Sequence, residues 1–184
     1  ATSDAAWGNV RNKGDGEESL ASQAGYIVMA AHRDLLDGHL AQITPLAWRS
    51  HTLKRKAAST LSAESQAVGE AAAITAWFRY LLVESMYPET LREKGSRWED
   101  VTDQLEYGLV TDAKSIYDAL TRPTSTASTI SDKRTAIDLA IIRDELRRSK
   151  GCIRWIDTKH QLADSLTKVM SPDLLRYVIG AGKY

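Results

Sequence analysis

A single cysteine, Cys152, excludes an internal disulfide and makes a reducing intracellular setting the default. Long apolar runs are missing as well. None reaches the roughly 20 residues that span a bilayer, and the opening ATSDAAWGN is neither basic nor followed by an apolar signal core, so a soluble, non-secreted chain without membrane contact is expected. Net charge is absent: 24 Lys and Arg balance 24 Asp and Glu. That argues against a polybasic tail or a protein that coats nucleic acid by bulk charge, but it leaves room for a local basic groove. There is no low-complexity segment and no internal repeat, which removes solenoids. What remains is 184 residues, 43% hydrophobic and 26% charged, the composition of one domain that buries a core without a structural metal.

The first third reads as β structure. Gly25 to Ala31 is a short apolar run, the Asp37-Gly38 pair offers a hairpin turn, and His39 to Ile43 alternates polar with apolar residues. Leu46 to Ser50 and the region Ala57 to Thr60 extend this reading, and Val10 to Ser19 is a loop. From Ser62 the period changes: Val68, Ala71, Thr75, Phe78 and Leu82 recur at steps of three and four, with no Gly or Pro between Glu70 and Tyr87. A long helix ending before Pro88 follows. Gly95 to Glu106 is a connection, Tyr107 to Thr111 a strand, and Ala113 to Leu120 a helix. Pro123 to Ser131 is a loop. A second long helix spans Lys133 to Arg148 with Gly151 as its stop, and Cys152 to Ile156 is a strand. Thr158 and Gln161 have capping-box spacing, which predicts a last helix through Ala163, Leu166 and Val169 before Pro172. Hairpins followed by alternating strands and helices predict a mixed sheet with helices packed on it.

Some residues carry chemistry. Glu64 shares the apolar face with Val68 and Ala71, where a carboxylate needs a partner, although a first-turn acid also complements the helix dipole. Asp112 lies at the carboxyl end of a strand and before a helix, where open α/β sheets place ligands, although with Ser115 it has the spacing of a plain N-cap. Asp4 is ordinary alone, and Asp164 with Lys168 four residues on could be a solvated helical pair. Each of the four acids falls in a different element. Trp7, Trp48 and Trp155 read as core or edge packing rather than base-stacking platforms, Trp77 lies on the long helix among apolar neighbours, and Trp98 has no assignment.

The segments SDAAWGN, SLASQAGYIVM, LAWRSH, STLSAESQAVGEA, VTDAKSIYDAL, DKRTAIDLAIIRDEL and TKHQLADSLTK carry a resemblance. In that order they resemble the ribonuclease H domain of Ty1/copia-type LTR retrotransposon polyproteins, over nearly the whole chain. The resemblance implies a single ribonuclease H-like domain over residues 1–184, excised from a longer polyprotein, with a five-stranded mixed sheet and helices on both faces. It implies a tetrad of Asp4, Glu64, Asp112 and Asp164 and hydrolysis of the RNA strand of RNA/DNA hybrids. Two Mg²⁺ ions, with Mn²⁺ as a substitute, would be shared by these acids: Asp4 bridging, Glu64 and Asp112 completing one site, Asp164 holding the other.

The partner implied is a reverse transcriptase domain of the same polyprotein, in the cytoplasm within virus-like particles. His160 lies in the connection that carries a mobile histidine in cellular ribonucleases H, so a proton-transfer role is open beside that of an ordinary loop histidine. The basic run Arg49, His51, Lys54, Arg55 and Lys56 would contact the hybrid's backbone or merely protect an edge strand, and Lys168 would reach a phosphate or only pair with Asp164. Ala6 stands where the family commonly has a second acid, outside the tetrad. The alternative is a catalytically weak or inactive ribonuclease H-like module that tethers a polymerase; an integrase-type transferase, which uses three acids, fits Asp164 poorly.

Overall fold

The computed structural model describes residues 1–11, 20–93, 102, 105–122 and 130–184. Strand β1 (Thr2–Arg11) pairs antiparallel with β2 (Leu20–Ala31), and β2 pairs antiparallel with β3 (Ile43–Thr52). Strand β4 (Gly108–Thr111) lies parallel to β1, and β5 (Cys152–Trp155) lies parallel to β4. The order is β3-β2-β1-β4-β5, a five-stranded mixed sheet. Its helices are α1 (Thr60–Met86), α2 (Pro88–Glu93), α3 (Lys114–Thr121), α4 (Lys133–Arg148), α5 (Asp164–Thr167) and α6 (Asp173–Ala181).

Both faces of the sheet are covered, as expected of a ribonuclease H-like fold. On one face Val68 and Ala72 of α1, Ile116 of α3 and Leu139 and Ile142 of α4 pack on Leu109 and Ile153 of the parallel strands. On the other, Leu162 and Val178 close over Ile27 and Ile43. The long helix begins where Ser59 accepts a hydrogen bond from the Ser62 amide at 3.2 Å, and it ends one residue before the Tyr87 cap that precedes Pro88. Helix α4 has the bounds that its apolar stripe predicts.

Several local expectations are corrected. His39 to Gln42 do not join β3, because Ala41 exchanges backbone hydrogen bonds with Tyr184 at 2.9 and 3.0 Å instead. The Asp37-Gly38 pair sits in a turn after a 3-10 segment at Arg33–Leu35, not in a two-residue hairpin. Ala57 to Ser59 is not strand, since the chain is already turning into the Ser59 cap. Val10 and Arg11 still belong to β1, and residues 12–19 of the expected loop lie outside the described residues. The left-handed residue after α4 is Lys150, φ 52°, not Gly151. Gly151 is required for space, because a Cβ there would collide with the Tyr107 ring.

No capping box opens a helix at Thr158. Asp157 caps a 3-10 turn there (Thr158–His160), the helix that follows is only α5, and Val169 is fully exposed. Pro172 precedes α6, which the periodicity does not predict, because a proline is tolerated at a helix start as readily as it ends one. Trp7, Trp48, Trp77 and Trp155 are all exposed, so none is a core residue, and Trp48 and Trp155 lie on the two edge strands, β3 and β5. Trp7 Nε1 donates to the Ala57 carbonyl, Trp155 Nε1 donates to that of Asp112, and Trp77 stacks on Tyr80. Trp98, with most of Gly95 to Glu106 and of the Pro123 to Ser131 loop, lies outside the described residues. The buried Arg79 holds the Thr102 and Leu105 carbonyls at 2.7 and 2.9 Å and lies over the Tyr107 ring.

One contact decides how close α5 comes to the sheet. Gly25 of β2 lies opposite Asp4 of β1, and a Cβ at Gly25 would stand 2.7 Å from Leu166 Cβ and 3.1 Å from Thr167 Cγ2. Both are near-backbone atoms of α5, so the helix would have to lift. Gly25→Ala is therefore expected to cost about 1–3 kcal/mol of stability by overpacking. Gly180→Ala in α6, where a Cβ meets nothing within 4 Å, is expected to be neutral or to stabilise by up to about 1 kcal/mol. Chemical denaturation of the two variants checks this; equal stabilities would contradict the close-approach account.

Candidate active site

Register brings the acids together. Thr2 of β1 lies level with Val110 of β4 in the parallel pair, and the same offset carries Asp4 level with Asp112, just past the end of β4. Asp4 sits in the centre of the sheet and is almost wholly buried. From across the face, α5 brings Asp164, also buried. One carboxylate oxygen from each of Asp4, Asp112 and Asp164 lies within 4.8 Å of the others, the only group of ion-ligating type and spacing among the described residues. Glu64, in the first turns of α1, lies near enough to feel the charges of Asp4 and Asp112 but is not one of the three that share this spacing.

The electrostatics of the group are set by burial and mutual repulsion. Burial, and then the charges of Asp4 and Asp112, push the Glu64 carboxyl up to about 9, although the Ala5 amide and Lys168 act the other way. Burial pushes Asp4 up to about 6, with Asp164 and Asp112 adding to it and the Thr167 hydroxyl and Lys168 opposing. Glu64 Oε2 is buried and has no hydrogen-bond partner among the described residues. An orphaned carboxylate oxygen beside three convergent carboxylates is a hard-oxygen donor set that fits a divalent cation.

Neighbouring polar groups hold the acids in place. The Thr167 hydroxyl donates to Asp4 Oδ2. The Gln161 side chain, buried, donates from Nε2 to the Ser3 carbonyl at 2.9 Å and to Asp112 Oδ1 at 3.4 Å, and its Oε1 accepts from the Thr2 hydroxyl. Gln161 thus ties β1, the end of β4 and the approach to α5 together. Lys168 Nζ lies 2.6 Å from Asp164 Oδ1 and 3.6 Å from Asp4 Oδ2. Asp112 is not an N-cap: Ala113 holds that position, and no side chain caps α3.

The other residues singled out in the sequence are placed less centrally. His160 ends the 3-10 turn with an exposed side chain, and its carbonyl accepts from the Tyr184 hydroxyl at 2.9 Å. Of the basic run, His51 lies 2.7 Å from Glu70 of α1 and Arg55 pairs with Asp138 of α4, while Arg49, Lys54 and Lys56 are exposed. Gln161 and Thr167 are the functional residues that sequence reasoning missed; both lie inside the quoted TKHQLADSLTK segment, which was the signal available.

Both acids with raised values favour the protonated fold. Stability of the metal-free chain is therefore lost as pH rises from their ordinary values of 3.8 and 4.5, through about 6 for Asp4 and on toward about 9 for Glu64. The melting temperature in chelator is expected to fall by roughly 5 °C or more between about pH 5 and pH 9. Added Mg²⁺ should raise it more at about pH 8 than at about pH 5, because binding requires deprotonated ligands. Thermal melts with and without the ion check this; a flat profile would contradict the burial of uncompensated carboxylates.

No protein-family model matches the sequence, and no curated protein matches it. Among solved structures, the chain is similar to the crystal structure of RNase H1 from the halophilic archaeon Halobacterium salinarum NRC-1, with 15% identity over 96% of each chain and a TM-score of 0.44. It is also similar to LC11-RNase H1 isolated from compost by a metagenomic approach, with 16% identity over 90% of this chain and 89% of that one and a TM-score of 0.44.

Proposed function

We propose that the chain is a divalent-metal-dependent endoribonuclease that hydrolyses the RNA strand of RNA/DNA hybrids. The observation that carries this reading is the convergence of Asp4, Asp112 and Asp164 from three separate elements, with the orphaned, buried oxygen of Glu64 beside them. Four acids gathered where the parallel strands end suit phosphodiester hydrolysis better than a tether, which has no use for buried like charges.

Asp4, Asp112, Asp164 and Glu64 would hold the cations, two Mg²⁺ in the reading that the resemblance implies, with Mn²⁺ as a substitute. When bound, such ions supply charge neutralisation at the scissile phosphate and activation of a water. The chain's own residues do the rest. Gln161 fixes the orientation of Asp112, and the Thr167 hydroxyl fixes that of Asp4, so neither carboxylate reorganises when substrate arrives. Burial and the charges of Asp4 and Asp112 push the Glu64 carboxyl up to about 9, so it would have to give up a proton to hold a cation. Recognition of a hybrid rests on phosphates, 2′-hydroxyls and shape. The exposed Arg49, Lys54 and Lys56 would meet the backbone, and the exposed His160 would relay a proton without being a ligand.

The quoted segments support a finer reading: a ribonuclease H of a copia-type retrotransposon, acting beside a reverse transcriptase in cytoplasmic particles. The deciding experiment is cleavage of a labelled RNA/DNA hybrid with Mg²⁺ or Mn²⁺ by the parent and by Asp112→Asn, which keeps an oxygen for the Gln161 amide. The variant is expected to lose roughly a hundredfold or more in rate, as several kcal/mol of charge stabilisation disappears. Equal cleavage by both would refute the site, and none by the parent would favour the tether.

A further inference from the structure

We propose that, in the absence of substrate, the Lys168 ammonium fills the cation position between Asp4 and Asp164, so that the resting domain takes up one divalent ion rather than two. The inference rests on the reading of the four acids as a metal site and specifies its resting occupancy.

A lysine four residues after an aspartate is normally a solvated pair of little consequence. This one is different. Its Nζ is 2.6 Å from Asp164 Oδ1 and 3.6 Å from Asp4 Oδ2, so it joins two buried carboxylates from different elements of the fold. The residue is anchored at its backbone, where its amide donates to the Asp164 carbonyl at 2.9 Å. The carbonyls at the end of α5 have other donors: Ser50 Oγ donates to that of Leu166, and Asn9 Nδ2 to that of Thr167 at 2.9 Å. Lys168 is not needed to cap the helix, and its charge is directed at the acids. The ammonium thus offsets one of the three negative charges that converge there. A second ion on the Asp4–Asp164 side would have to displace the ammonium or sit against its like charge.

The test is titration of the full chain with Mn²⁺ alone, without nucleic acid, followed by electron paramagnetic resonance of the free ion. The parent should bind one Mn²⁺ tightly. Lys168→Met should bind two, or bind the first roughly tenfold tighter or more, and Lys168→Arg should behave as the parent. Two ions of similar affinity in the parent would overturn the proposal whether or not the Lys168→Met chain folds. So would identical titrations of parent and Lys168→Met with the two differing only in hybrid affinity, which would make Lys168 a phosphate contact. Absence of saturable Mn²⁺ uptake by the parent would remove the metal-site reading itself, an outcome distinct from either of these.

Discussion

Asp4, Asp112 and Asp164 carry the same charge, and one oxygen of each lies within 4.8 Å of the others. Left in water they would separate. They stay together because each belongs to an element held by unrelated contacts: Asp4 to the central strand of the sheet, Asp112 to the end of a strand packed under α3 and α4, Asp164 to a helix seated against Gly25. The repulsion is thereby transferred from the site to the scaffold. Gln161 and Thr167 then fix the orientation that remains free.

Much of this was legible in the sequence, for physical reasons. The stretch from Glu70 to Tyr87 without Gly or Pro and the terminating Pro88 favour one long helix, and its 3.6-residue period puts Glu64 on the buried face. Helix α4 is bounded by Asp132, whose side chain caps it, and by a Gly shortly after its end. Long-range contacts were not legible. Gln161 stands three residues after Thr158 and mimics a capping box, yet its partners Thr2 and Ser3 lie almost the whole chain away. The exposure of four tryptophans was hidden because a strand or helix period does not say which face is covered by a later segment. Lys150 took the left-handed position that Gly151 suited better in isolation, since Gly151 was already constrained by the Tyr107 ring.

A net charge of zero first reads as evidence against a protein that handles nucleic acid, and the fold gives it a different meaning. The acids lie at the centre of the sheet, and the exposed bases Arg49, Lys54 and Lys56 lie on or just beyond its edge strand. Pairing sets their separation. Asp4 is opposite Gly25, and Gly25 is opposite Ser50, the neighbour of Arg49. Two inter-strand spacings amount to about 10 Å. Arg49 itself pairs with Tyr26, one position off Gly25, so its side chain leaves the sheet on the face opposite to Asp4, and the edge bases do not neutralise the acids directly. Lys168, which follows α5 and not the edge strand, is the only lysine or arginine within ion-pair distance of the acids among the described residues.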